Sequence, residues 1–257
     1  MEKLPAGLGW IWIKEGFALF RKRPAEMSTL FLSYMFLMLG VGIIPFLGQI
    51  LPLILVPVFS MGFMQACVQL EQDKRIHPNL LLTGFRSPAF HRLMLLGVLY
   101  LLAAVIAVAS SGLIDGGVFW SAMSGQIALD GQTMRDSNMS MAMIFAAAVY
   151  TPMAMALWYA APLVMWQDMG VGKAIFYSFF AVRRAGRAFL VYGLIWVVIG
   201  VLLPAIISAV IAMIVNVAAV TLMILLPLSV IMTVIMYCSF YPTYVHVFGK
   251  PPLSLEK

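Results

Sequence analysis

Between Arg187 and Lys250 the chain runs for 62 residues, Ala188 to Gly249, without one Asp, Glu, Lys or Arg. A second such run, Met27 to Leu70, covers 44 residues. A helix rises about 1.5 Å per residue, so crossing a hydrocarbon core of roughly 30 Å takes about 20 apolar residues. Each long run therefore holds two crossings and a turn. Leu93 to Ile114 (22 residues) and Ser137 to Gln167 (31 residues) hold one crossing each. The expected architecture is an all-α integral membrane protein with six transmembrane helices in three hairpins. Composition agrees: 63% of residues are hydrophobic and 10% charged, against about 25% charged in an ordinary globular domain. A single polytopic domain over 1–257 accounts for the whole chain. Cys67 and Cys238 lack a CxxC spacing, fall inside the spans, and read as small apolar packing residues.

The cations set the orientation. Lys3, Lys14, Arg21, Lys22 and Arg23 precede the first span, and Lys74, Arg75, Arg86 and Arg92 separate the second from the third. Lys173, Arg183, Arg184 and Arg187 separate the fourth from the fifth, and Lys250 and Lys257 follow the sixth. The opposite side carries only Arg135, with Asp115, Asp130 and Asp136 around it. The positive-inside rule then places both termini in the cytoplasm, which an even number of spans permits. Lys14 and Glu15 interrupt the one candidate signal-peptide core, Leu8 to Ile13, so the first span is expected to act as an uncleaved anchor.

Each hairpin is preceded by a basic, amphipathic segment expected to lie on the cytoplasmic face. In GLGWIWIKEGFALFRK, Gly7 to Lys22, Trp10, Ile13, Phe17 and Phe20 recur at helical spacing. GVGKAIFYSFFAVRR, Gly170 to Arg184, places Ile175, Phe176, Phe179, Phe180 and Val182 before its arginines, and HPNLLLTGFR, His77 to Arg86, is a shorter version. Such helices lie at the headgroups with the apolar face down; a linker helix packed on protein is the alternative. Elbows follow in all three: KRPAEM, SPAFHR and RAGRAF. The pattern suggests pseudo-repeats 7–70, 77–166 and 170–241, although any hairpin entering from the basic side needs similar flanks.

Chemistry inside the membrane is sparse. The span cores hold no ionisable Asp, Glu, Lys, Arg or His, so a proton-driven pump is not expected. Pro57, Pro152, Pro204 and Pro227 lie deep in the hydrophobic runs, with Pro45, Pro52, Pro162 and Pro242 nearer their ends. They read either as bends for packing or as broken helices around a site. His77, His91 and His246 fall at the basic face without a metal-ligand spacing. Met134, Met139, Met141 and Met143 cluster where the loop of about 115–138 enters span four; thioethers suit Cu(I), but spacing of two spreads them around a helix. Glu71, Asp73 and Asp168 read as loop charges, and Asp115 as a cap for the following turn or a ligand contact. GxSxG, HExxH and phosphate-loop motifs are missing. The expectation is no enzyme, no cofactor, no metal and no nucleic-acid partner.

GLGWIWIKEGFALFRKRP, LPLILVPVFSMGFMQA and APLVMWQDMGVGKAIFYSFFAVRRAGRAFLVYGLIW together resemble an uncharacterised family of proteobacterial six-span inner-membrane proteins. The chain is also distantly similar to YciC-like proteins and to the membrane domain attached to some glycerophosphodiester phosphodiesterases. The resemblance implies a bacterial inner membrane and an all-helical fold. It brings no catalytic motif, since the phosphodiesterase catalytic domain has no counterpart here.

Two functions stay open. One is a non-enzymatic membrane component organising anionic lipids or partner proteins, with Arg21, Lys22, Arg23, Arg183, Arg184 and Arg187 as candidate headgroup contacts. The other is a transporter or passage for a neutral or lipid-like solute, which a charge-free cavity among kinked spans would favour.

Overall fold

The computed structural model describes residues 4–45, 47–127, 138–214 and 218–251 of the chain. Helices account for nearly all of them, and no strand occurs among the described residues. In order they are α1 (Leu8–Lys22), α2 (Pro24–Gly42), α3 (Leu47–Glu71), a 3-10 turn (Pro78–Leu82), α4 (Thr83–Arg86), α5 (Phe90–Asp115) and α6 (Val118–Met123). Next come α7 (Met139–Leu157), α8 (Ala160–Trp166), α9 (Val171–Arg184), α10 (Gly186–Val197), a π-helical segment (Val198–Leu202), α11 (Leu203–Ile214) and α12 (Ala218–Phe248). Six stretches are long and apolar enough to cross a membrane: Pro24–Gly42, Ile50–Glu71, Phe90–Asp115, Met139–Trp166, Gly186–Ile214 and Ala219–Phe248. These spans one to six form the three hairpins expected from the charge-free runs.

Local chemistry explains the ends. Pro24 opens span one at a position where its missing N–H costs nothing. Span three stops at Gly116, whose φ of 66° is readily adopted only without a Cβ. The Asp115 carboxylate then accepts from Gly117 N (2.9 Å) and Phe119 N (2.7 Å), capping α6. Asp115 is therefore a cap. Arg135, Asp130, Asp136 and Met134 lie outside the described residues, as does the turn at Asn216.

The interior prolines do not act alike. Pro52, Pro57, Pro152, Pro227 and Pro242 sit within continuous helix. Pro162 and Pro204 accompany real interruptions. Pro162 denies a donor to the Trp158 carbonyl, and span four breaks at Trp158–Tyr159 between α7 and α8. Pro204 denies one to Gly200, and span five widens into the π segment Val198–Leu202.

The buried core gathers at the basic end of the bundle. It joins Met27 and Leu30 of span one, Phe59 to Leu70 of span two, and Leu93 and Leu96 of span three. Tyr159 to Val164 of span four and Val234 to Tyr244 of span six complete it. Toward the other end, Val201, Ile206 and Met213 of span five and Leu222, Met223 and Leu226 of span six face outward. Hydrocarbon covers such side chains as well as protein does.

The three basic segments differ in what covers them. Trp12, Ile13 and Leu19 of α1 are buried, while Trp10 remains 49% exposed. The covered face is thus rotated from the expected Trp10–Ile13–Phe17–Phe20 stripe, and α1 lies on spans five and six. Gly9 and Gly16 make this possible. A Cβ on Gly9 would collide with the Ala188 carbonyl, and one on Gly16 would sit 2.6 Å from Ser239 Cα. The middle segment is only the 3-10 turn and α4, packed on span two through Leu81 and Gly84. Only α9 keeps an aromatic face outward.

Gly16→Val should cost about 1–3 kcal/mol through overpacking at this seam, read as a lower melting temperature of the detergent-purified protein. Gly40→Ala, where nothing lies within 4 Å of the added atom, should leave it unchanged. An unshifted melting temperature for Gly16→Val would contradict the close approach.

Candidate lipid-binding site

At the basic end of the first two hairpins, Lys22, Arg23 and Arg92 are held by acids of the protein itself. Lys22 donates to Asp73 Oδ1 at 2.8 Å and to the Leu70 carbonyl at 3.0 Å. Arg23 bonds Glu26 at 2.8 Å and the Asp73 carbonyl at 3.1 Å. The other Glu26 oxygen accepts from Ile76 N at 2.7 Å. The Lys22 ammonium, by hydrogen bond and by charge, holds the Asp73 carboxyl below its ordinary range. In the second hairpin Arg92 pairs with Asp168, whose carbonyl it also reaches at 3.2 Å. Asp73 (φ 55°) and Asp168 (φ 50°) each follow an even-numbered span in the left-handed conformation.

The third hairpin ends differently. The left-handed residue after span six is Gly249 (φ 86°), which has no carboxylate. Lys250 turns instead to Glu71 at 3.1 Å, which also accepts from the Tyr241 hydroxyl at 2.9 Å. Arg183 and Arg187 are exposed and meet no acid among the described residues.

The candidate cations therefore separate. Lys22 and Arg23 are engaged inside the protein. Arg21, Arg183, Arg184 and Arg187 present exposed side chains. Three of these follow the aromatic face of α9, where Phe176, Tyr177 and Phe180 are 60%, 46% and 47% exposed. Phe176 and Phe180 rings lie 4.6 Å apart, and Lys173 sits 5.8 Å from the centre of the Tyr177 ring. Ala174, Ser178 and Val182 form the opposite, buried face. An aromatic face between cations is the form of an interfacial helix.

Ser178 fastens α9 to the break in span four. In an unbroken helix Tyr159 N would bond the Met155 carbonyl. Here the Ser178 hydroxyl stands between them, accepting from Tyr159 N at 2.9 Å and donating to Met155 O at 2.9 Å. The Tyr100 hydroxyl satisfies the Leu157 carbonyl at 2.9 Å, and the Tyr159 hydroxyl reaches the Thr243 carbonyl at 3.1 Å.

Beside this break lies a cavity of about 550 Å³. Spans two to six all contribute to its wall, including Phe63, Tyr100, Trp158, Tyr192 and Tyr237, and no lining side chain is charged. Nothing in the spacing of its residues announced it, since its aromatics come from five separate spans. Trp158 also has a covered indole N–H with no acceptor.

The remaining candidates do not converge on chemistry. Met139 is buried while Met141 and Met143 are exposed, so these three do not share a face; Met134 lies outside the described residues. His246 bonds the Pro242 carbonyl oxygen (2.9 Å), and His77 and His91 are exposed. Cys67 and Cys238 are free and meet in the core between spans two and six, a pairing the sequence did not reveal.

The six long apolar helices among the described residues, joined by basic connectors at one end, define a multi-pass helical membrane protein. A probable inner membrane protein of Burkholderia thailandensis is 37% identical over 199 residues, covering 76% of this chain and 74% of that protein. The chain belongs to the family of that protein. No protein-family model matches the chain. No solved structure matches it either. The relative supports the inner-membrane family, and its name does not bear on the YciC-like or phosphodiesterase-domain likeness.

Ser178→Ala would orphan the Tyr159 N–H and the Met155 carbonyl, at about 1–3 kcal/mol for each. The expected result is a clear fall in melting temperature, and no fall would show that the break does not need the hydroxyl.

Proposed function

We propose that the protein is a non-enzymatic inner-membrane component that organises anionic lipids of the cytoplasmic leaflet through α9. The carrying observation is the pair Arg183 and Arg187, exposed and without an acid partner among the described residues, beside outward Phe176, Tyr177 and Phe180. The rings enter the headgroup boundary and the guanidiniums take phosphate in a bidentate fork. Ordinary topological anchoring needs cations at a span end, but it does not need an aromatic face turned away from the protein. The inner-membrane assignment draws on the relative's name, and the orientation on the cation bias. A second reading, a passage for a neutral or lipid-like solute, is favoured by the charge-free cavity.

A basic residue at an anionic surface contributes about 1 kcal/mol. Replacing Arg183 and Arg187 by Gln should therefore weaken anionic-lipid retention by roughly 2 kcal/mol, about thirtyfold in affinity. Native mass spectrometry of the extracted protein reads this directly, and unchanged anionic lipid would reject the site. Lys22→Gln, which removes a cation already held by Asp73, should instead leave the lipid content unchanged. For orientation, an impermeant thiol reagent applied to intact cells should label Gly125→Cys and spare Lys250→Cys; the reverse pattern would turn the molecule over.

A further inference from the structure

We propose that the cavity among spans two to six binds the acyl chain of an anionic membrane lipid whose headgroup rests at Arg183 and Arg187. For the headgroup this rests on the α9 reading above; for the chain it stands on the cavity alone.

The cavity's volume, about 550 Å³, falls within the roughly 300–1,000 Å³ of small-molecule sites. Most of its hydroxyl groups are already engaged within the protein. The Tyr100 hydroxyl is engaged by Leu157 O at 2.9 Å, that of Tyr192 by Ser239 at 2.7 Å, and that of Ser60 by Pro57 O at 2.9 Å. Ordered water needs two or more polar partners, and among the described residues only one lining hydroxyl, that of Tyr150, is left without a hydrogen bond.

Access is lateral. Spans four and five meet through Trp158 against Phe189 (5.4 Å) and Tyr192 (6.4 Å), close to the basic end. Farther along, span five presents Gly193 to the cavity, where an added Cβ would meet nothing within 4 Å. The space then continues. A second cavity of about 270 Å³ lies between spans five and six, bordered by Gly200 and Pro204, and it shares Trp196 and Met236 with the first. From Phe189 to Pro204 the helix advances about 22 Å, against a leaflet's share of about 15 Å of hydrocarbon. That is room for one extended chain running down from the rim. Arg187 lies six residues, about 9 Å of helix, before Gly193, so the cation stands on the basic side of the cavity mouth along span five.

The test uses the full protein in vesicles containing phosphatidylglycerol with a diazirine midway along one acyl chain. After illumination, peptide mass spectrometry should find adducts on Phe63, Tyr150 and Tyr237 as well as on outward Leu190 and Leu194. In Gly193→Leu, which fills the mouth, the lining adducts should fall at least fivefold while those on Leu190 and Leu194 persist as a folding control. Adducts confined to outward residues, or lining adducts indifferent to Gly193→Leu, would overturn the site. The same probe on a phosphatidylcholine headgroup separates the two layers of the proposal. Weaker lining adducts support the headgroup assignment, and equal ones overturn it together with the α9 reading while the chain site remains.

Discussion

No backbone N–H or C=O can be left unpaired in hydrocarbon, where each costs several kcal/mol. That constraint governs the whole bundle, and the Trp158–Tyr159 break is where it is tested. A broken span survives only if something else supplies the missing partners. Here a serine from outside the span inserts a hydroxyl between a donor and an acceptor that would otherwise face each other. One consequence is mechanical. The helix whose outer face carries Phe176, Tyr177 and Phe180 is bonded to the turn that places Trp158 in the cavity wall. Tyr159 extends the same fixture to span six through Thr243. Surface helix, broken span and cavity wall thus share one hydrogen-bonded joint.

The spans were legible because hydrocarbon excludes charge so strongly that its boundaries are written in Asp, Glu, Lys and Arg. The same reasoning located α9 and its cations. It misjudged the covered face of α1 because amphipathicity marks a face without saying what covers it. Gly9 and Gly16, seven residues apart on one side, were the signal, since glycines at that spacing permit backbone contact with another helix. Ser178 was illegible for another reason: on an amphipathic helix it looks like any polar residue. Only its juxtaposition with the broken turn before Pro162 gives it a role. The cavity was more hidden still, because aromatics that line a space and aromatics that fill one read alike.

The ionic end of the bundle shows why the six candidate cations are not equivalent. Hairpins one and two each close with a left-handed aspartate meeting a cation from the hairpin's own beginning, Asp73 with Lys22 and Asp168 with Arg92. Gly249 occupies the corresponding place after span six. The conformation is retained and the carboxylate is lost. Isolated exposed ion pairs contribute little to stability, so losing one costs the fold little. Arg183 and Arg187 likewise meet no acid among the described residues, which leaves them open to an outside anion such as phosphate.

Membrane helices lack a hydrophobic drive toward one another, so association depends on specific packing and hydrogen bonds. In this bundle those contacts concentrate at one end. Phe63 stacks on Tyr237 at 4.3 Å and Trp166 meets Tyr244 at 5.0 Å. Toward the other end, the side chains of spans five and six have little protein to pack against. There the packing partner is the bilayer, and the π segment and Gly200 keep that seam loose. A chain lying between span five and its neighbours would then complete the packing of the bundle. Lipid bound there would be as much a structural element as the helices that border it.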